Sequence, residues 1–263
     1  MNYCIEYTDS FKKYDEIAEI RIVVTKDSVS PLPFLSKYIN HRIILDFETG
    51  VVSDYMLRSL ANFRQEQPTA NFACCVSYQE KYLAETFKEN NFPFFFKEFV
   101  NNWDMLHTLK NIGVSDMYIT NSLGFELDKV AQVLHSNDIN IRVVPNLAQC
   151  SGDIDPIKTF FIRPEDIDLF SEYVDIFEFY GDRKKQYVYY DIYSKDKKWF
   201  GPLREIIFGF NSDLDSRFIL PVFGARRIKC GKKCFKGSAC AICDRVYSAS
   251  KTLEEKGLLV KKE

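Results

Sequence analysis

Cys230, Cys234, Cys240 and Cys243 fall within fourteen residues near the C-terminus, spaced C-x3-C-x5-C-x2-C. Four thiols held that close repel as thiolates, or oxidise, unless a metal gathers them. Zn²⁺ and a 4Fe–4S cluster each take four thiolates, and either would tie the loop into a rigid knot. The middle spacer is shorter than the one between the two hooks of a zinc ribbon, and such compactness suits the larger four-iron cage as well. The spacing therefore predicts a metal centre on these four residues, zinc or iron–sulfur, with ordinary core cysteines as the alternative. Cys243 falls in the first turn of a helix predicted over 241–256, where the helix dipole favours a thiolate. Ile242, Val246, Ala249 and Leu253 form the apolar stripe of that helix, and Gly257 its C-cap.

A second set of residues is polar and falls at the ends of apolar runs. Asp46 and Glu48 follow Ile43–Leu45, and Glu178 lies within Val174–Phe179. These three are the candidate catalytic carboxylates. Asn121 follows Tyr118–Ile119, Asn146 and Gln149 follow Val143–Pro145, and Arg163 ends Phe160–Ile162. They are the candidate substrate-binding groups, a set of amides and one guanidinium that suits a polar or anionic small molecule. Each also reads as an ordinary strand-end cap. Asp215 and Arg217 read either as site residues or as a salt-bridged turn before a strand at Phe218–Val222. The histidines fall elsewhere, with His107 and His135 on predicted helix surfaces, so a histidine-based triad is poorly supported.

These residues need elements to hold them. Strands are predicted at Glu19–Val24, Arg42–Phe47, Asn71–Val76, Pro93–Phe96, Asp116–Thr120, Asn140–Pro145, Phe160–Arg163 and Val174–Phe179. Mostly continuous apolar runs of this kind suit buried parallel strands. Helices are predicted at Ser53–Arg64, Gln79–Asn90, Asn101–Asn111 and Gly124–Asn137, each with apolar residues three and four apart. Gly113 ends one helix, and Pro164 opens another beside two acids. Strand–helix repetition predicts an α/β fold with right-handed crossovers, and eight strands favour a (β/α) TIM-like barrel, regular or irregular. An open doubly wound sheet is the alternative, and no glycine-rich phosphate loop decides between them. Functional groups of such a barrel gather at the C-terminal strand ends.

The chain of 263 residues, 46% hydrophobic and 15% aromatic, can fill a substantial core. Its net charge of −2 is unevenly spread. Residues 224–263 carry eleven Lys/Arg against four Asp/Glu, a net of +7, which leaves −9 for residues 1–223. The domain reading is a barrel over 1–223 and a basic cysteine knot with a helix over 224–263. A basic tail suits an anionic partner such as RNA or DNA. It equally offsets the charge of a four-sulfur centre. The polar, acidic start shows no secretory signal, and no run approaches the roughly 18 apolar residues of a membrane span. The expectation is a cytoplasmic protein with reduced cysteines and no membrane partner. Cys74 and Cys75 read as core residues.

Leu109–Gln149 (LKNIGVSDMYITNSLGFELDKVAQVLHSNDINIRVVPNLAQ) resembles the barrel segments of the peptidase U-32 family, in which a helix and a glycine precede an apolar strand. Val174–Gly181 (VDIFEFYG) is similar to that family's signature, a glutamate and an aromatic before a glycine, although Gly181 follows Glu178 more closely here. The late cysteines are similar too, though packed closer together than in the family. The resemblance implies a barrel bearing a 4Fe–4S cluster on Cys230, Cys234, Cys240 and Cys243. It also implies hydroxylation-associated or hydrolytic chemistry on RNA, a peptide or an aromatic metabolite. The alternative is a non-catalytic module in which a structural zinc site and a basic helix grip nucleic acid or protein. There Arg226, Arg227, Lys229, Lys232, Lys233 and Lys236 would meet phosphates. A structural or assembly protein is the third reading.

Overall fold

The computed structural model describes residues 1–8, 17–27, 30–148, 159–210, 214–219, 222–228, 230 and 242–256. Nine strands form one wholly parallel sheet: β1 (Asn2–Glu6), β2 (Glu19–Val24), β3 (Arg42–Phe47), β4 (Phe72–Val76), β5 (Phe94–Phe96), β6 (Phe99–Val100), β7 (Asp116–Ile119), β8 (Asn140–Val143) and β9 (Ile176–Glu178). Their spatial order is β5-β4-β3-β2-β1-β9-β8-β7-β6. The crossovers carry α1 (Leu32–Lys37), α2 (Asp54–Glu66), α3 (Leu83–Glu89), α4 (Trp103–Ile112), α5 (Asn121–Gly124), α6 (Leu127–His135) and α7 (Ile167–Phe170). After the sheet come α8 (Gln186–Asp191), α9 (Val222–Ile228) and α10 (Ile242–Glu255).

Local chemistry sets the helix ends where the sequence places them. The Ser53 hydroxyl accepts from Met56 N and the Asn102 side chain from Met105 N, so α2 and α4 are capped at their first turns. Gly113 closes α4 in the left-handed region at φ +81°, which costs glycine nothing. One stripe of each helix, such as Leu57, Leu60 and Phe63 of α2 or Val130 and Leu134 of α6, is buried.

The sheet curls into a half-barrel compatible with a TIM-like barrel. Side chains of distant strands require the curl. Arg42 on β3 and Asp116 on β7 stand five places apart in the strand order, about 24 Å in a flat sheet. Yet Arg42 Nη2 lies 2.6 Å from Asp116 Oδ2. The two strands at the ends of the order, β5 and β6, are separated by Lys97 and Glu98 alone. Ser115 N, just before β7, donates to Phe94 O of β5 at 2.8 Å, and Thr120 N, just after β7, donates to Val100 O of β6 at 3.2 Å.

Three segments depart from the predicted pattern. Phe160–Arg163 lies in no strand; Ile162 N donates to Pro145 O at 3.0 Å, and Ile162 O and Phe161 O accept from the Tyr193 hydroxyl and Arg227. Its apolarity serves packing, Phe160 against Phe125 and Phe170, and Phe161 against Phe210. In Phe218–Val222 the described residues Phe218, Ile219 and Val222 lie in no strand either. Asp215 accepts from Arg217 N and pairs with its guanidinium at 2.7 Å, turning the chain at Ser216–Phe218, and α9 begins at Val222. Conversely, Asn2–Glu6, which the sequence reading passed over as a polar start, is β1: Tyr3, Cys4 and Ile5 are buried between β2 and β9. The 223/224 boundary falls inside α9, whose Phe223, Arg227 and Ile228 are all buried. Among the described residues, no helix is long and apolar enough to cross a membrane.

Candidate functional site

Alternation along the strands sorts the sheet into two faces. One set (Ile20, Ile22 and Val24 on β2, Ile43, Leu45 and Phe47 on β3) is apolar and buried. The other carries Glu19 and Arg21 on β2, Arg42 and Asp46 on β3, Asp116 and Tyr118 on β7, Arg142 on β8 and Glu178 on β9. These groups meet across the concave interior. A barrel interior is ordinarily filled with branched apolar side chains, so a charged one asks for an account.

Arg21 stands at the centre. Its Nη1 donates to Asp46 Oδ2 at 2.7 Å, while Nε and Nη2 lie 2.8 and 3.0 Å from the two oxygens of Glu178. Tyr118 OH accepts from Arg21 and donates to Glu178 Oε2 at 2.7 Å. Arg142, wholly buried, lies 2.7 Å from Glu19, 3.2 Å from Asp116 and 3.2 Å from Glu178. Arg42 completes the lower ring, on Glu19 at 2.8 Å and on Asp116. Lys97 pairs with the second oxygen of Asp46. Arg21, Arg42, Lys97 and Arg142 thus balance Glu19, Asp46, Asp116 and Glu178.

Electrostatics follow from this pairing. Burial alone would raise the Asp116 pKa, but the Arg42 hydrogen bond and the charges of Arg142 and Arg42 outweigh it and bring it down to about 2. Burial opposes the charge on Arg21 and Arg142, and their carboxylates more than restore it, holding both well above the ordinary arginine value. Cys75, whose sulfur accepts from Arg21 at 3.9 Å, is pushed up to about 12 by burial, against the pull of Arg21. It is a thiol there, not a thiolate. At the edge of the network exposure returns: the Lys97 side chain is 33% exposed where Asp46 is 12%. Nearby, beside the C-terminal ends of β1 and β2, a cavity of about 270 Å³ is lined by Glu6, Tyr7, Val23, Phe34 and Arg183. Glu6 pairs there with Arg183 at 2.6 Å, and burial raises its pKa against the pull of that arginine. A wider cavity of about 650 Å³ lies on the flank, between Trp199, Phe200, Arg217 and Asp168.

The structure brings two of the predicted catalytic carboxylates together, Asp46 and Glu178, on opposite sides of Arg21. Glu48 is exposed beyond the end of β3. Asn146 is buried and staples two loops, donating to Tyr180 O and accepting from Tyr180 N, both at 2.9 Å. Arg163 is buried too, forked on Asp166 at 2.7 and 2.8 Å and donating to Ser216 O and Ile219 O. Asn121 opens α5 at the end of β7. Gln149 lies outside the described residues. Sequence reasoning passed over Arg21, Arg142, Tyr118 and Lys97, although the every-second-residue charges of EIRIVV and RIILDF were the signal.

Of the four C-terminal cysteines, Cys234 and Cys240 lie outside the described residues, as do Lys229, Lys232, Lys233, Lys236 and Gly257. Among the described residues no group of three or more His, Cys, Asp or Glu has the arrangement of a metal site. Cys230 and Cys243 are half-buried and packed on the core. Cys230 N donates to Arg227 O at 3.2 Å, and both thiols lie within electrostatic reach of the Arg227 guanidinium. Arg227 itself is 4% exposed, its charge facing the rings of Phe161 at 4.2 Å and of Phe125 and Phe223 at 5.1 Å. It donates to Phe161 O at 3.1 Å and to Thr159 O. Burial brings its pKa down to about 10, with Cys243, Asp166 and Cys230 opposing and Arg163 adding to the fall. The phosphate contact that the sequence reading allowed Arg227 is therefore overturned by its burial, while Arg226 remains exposed.

No model of a known protein family matches this chain. No curated protein matches it either.

Proposed function

We propose that this chain is an enzyme built on a closed (β/α) barrel, with a metal centre on Cys230, Cys234, Cys240 and Cys243, acting on a polar small molecule or a nucleic-acid or peptide group at the barrel mouth. The observation that carries the proposal is the convergence of Asp46 and Glu178 on Arg21, with Lys97 as the accessible member beside them. A charged interior is costly to bury, and fixed charges of this kind are what hold and polarise a polar reactant. Closure is supported by the two-residue gap between β5 and β6. Merged, they make one strand, and the sheet becomes eight strands in a ring.

In this reading Asp46 and Lys97 are the charged groups that meet a polar ligand at the mouth. Glu178, gripped by two arginines and Tyr118, orients Arg21, so it acts as a positioning residue. The donor set fits a thiolate-bound metal. Two of the four cysteines, thirteen positions apart in sequence, lie within electrostatic reach of one guanidinium, and soft sulfur ligands select zinc or iron–sulfur. Arg227, one turn before Cys230, lies over the ring of Phe125, just beyond α5, which follows the C-terminal end of β7. Zinc there would supply rigidity or Lewis acidity, and an iron–sulfur cluster would supply electron transfer. The peptidase U-32-like resemblance of the sequence is the other support for this reading.

The test is anaerobic purification followed by metal and sulfide analysis, then melting of the protein against nucleosides, peptides and aromatic carboxylates. The expected result is a bound metal and a ligand shift lost in Asp46→Asn and Lys97→Met. Metal-free protein of full stability would remove the cofactor, and an unchanged ligand response in both variants would remove the mouth.

A further inference from the structure

Beside the C-terminal ends of β1 and β2, the end at which barrels bind their ligands, lies the cavity of about 270 Å³. That volume is just under the range of drug-sized sites, so the space suits a small molecule. Among its described lining residues Glu6 is the one acid and Arg183 the one base. Tyr7, Phe34, Ile22 and Val24 make much of the remaining wall aromatic or aliphatic. The Glu6 side chain is 16% exposed and that of Arg183 58%, and the two pair at 2.6 Å. Glu6 stands in register with Arg21, beside the charged interior. Its main chain is pinned: Glu6 N donates to Gln186 Oε1 at 2.9 Å, and Tyr7 N to Arg21 O at 2.7 Å. Tyr7 is braced in turn, its ring edge-on to Phe34 with centroids 4.9 Å apart.

The pair is lopsided. Arg183 can turn into water at little cost, as the exposed partner of an ion pair does. Glu6 cannot follow it, and a mostly buried carboxylate left alone is the costly state. Burial raises the Glu6 pKa, and Arg183 is the largest influence that lowers it. An entering cation can take over that task. An entering anion would draw Arg183 away and leave Glu6 uncompensated, and a neutral ligand gains only the apolar wall. Aromatic rings add to the preference, because a cation is drawn to a ring face. We infer that this cavity binds a small organic cation, an ammonium group on a short apolar or aromatic body. Glu6 is its anion, and Arg183 is the side chain that it displaces. The inference goes beyond the reading of the mouth given above: it needs neither the cysteines nor Lys97, and it survives their failure.

The experiment is calorimetric titration at neutral pH with 2-phenylethylamine, 2-phenylethanol and phenylacetate, which share an aromatic body and differ in charge. Wild type should bind the amine about tenfold or more tighter than the alcohol, as a charge-assisted bond allows, and phenylacetate no better than the alcohol. Glu6→Gln should lose that margin. Arg183→Met should bind the amine up to about fivefold tighter, because the competing cation of a partly exposed pair is gone. That variant changes an exposed side chain, so it keeps the test open if thermal unfolding shows Glu6→Gln to be misfolded. Phenylacetate binding best, or Arg183→Met losing the amine, would overturn the inference, since the guanidinium would then be the group that binds. So would three ligands that bind alike, or none that binds.

Discussion

Arg21 on β2 and Glu178 on β9 meet as a two-pronged pair, Nε to Oε1 at 2.8 Å and Nη2 to Oε2 at 3.0 Å. β1 lies between their strands, with Glu6 in register with Arg21 and Cys4 in register with Glu178; Cys4 is buried and pushed well above the ordinary thiol pKa by burial and the Glu178 charge. A small apolar residue in the intervening strand leaves room for the fork. The pair then organises everything above it, because the remaining Arg21 nitrogen, Nη1, is the one that reaches Asp46.

Glu178→Gln should destabilise the fold by about 3 kcal/mol or more, since it leaves Arg21 and Arg142 short of one anion in a nearly dry interior. Urea unfolding would measure it. A loss under 1 kcal/mol would mean that water reaches the network. Any loss of activity in this variant is therefore ambiguous, which makes Glu178 a poor probe of catalysis.

Gly209 has φ +76°, and a Cβ there would meet the main-chain oxygen of Ala148. The neighbouring bonds Ala148 N to Phe208 O at 2.7 Å and Phe208 N to Asn146 O at 2.8 Å fasten the loop after β8. Gly209→Ala should cost about 2 kcal/mol or more through strain and displacement of that loop. Gly50→Ala, with a similar φ of +76° but open space around the added atom, should cost less. Equal losses at the two sites would show that conformation alone sets the cost.

Asp116 supplies a pH dependence of known sign. Its folded pKa of about 2 lies below the ordinary 3.8, so the unfolded chain takes up the proton first. Its contribution of about 2 kcal/mol is complete above about pH 4 and is lost as pH falls toward 2. The stability gap between wild type and Asp116→Asn should therefore shrink by about that amount between pH 5 and pH 2. A gap that stays constant over this range would contradict the assignment.

Much of the framework was legible in the sequence. Glu19–Val24 and Arg42–Phe47 were predicted to the residue, because apolar runs and caps are local signals. Asp46 and Glu178 were found by position at strand ends. Arg21 and Arg142 were not, because a charged residue in a strand reads as solvent-facing unless the partner strand is known. β7 and β2 lie far apart in sequence, and only the curl of the sheet makes their side chains neighbours. The same reason hid the burial of Arg227. In a tail of +7 it reads as one more surface cation, and two of the three phenylalanines around it, Phe125 and Phe161, come from segments the sequence does not connect to it.

Lys97 separates structure from chemistry at the mouth. It sits in the two-residue break between β5 and β6, and one third of its side chain meets solvent. Its loss leaves Asp46 still paired with Arg21, so Lys97→Met should cost about 1 kcal/mol or less, as exposed pairs do. Asp46→Asn should cost more, because it weakens Arg21 from within. If the pair acts on a substrate, both variants should lose ligand-induced stabilisation while Lys97→Met keeps a near wild-type melting point. The same two variants also read the alternative: Lys97→Met as damaging as Glu178→Gln would make Lys97 one more strut of the interior. The mouth would then need a different accessible group. The nearest is Glu6, whose raised pKa and pairing with Arg183 place it beside the cavity at the ends of β1 and β2.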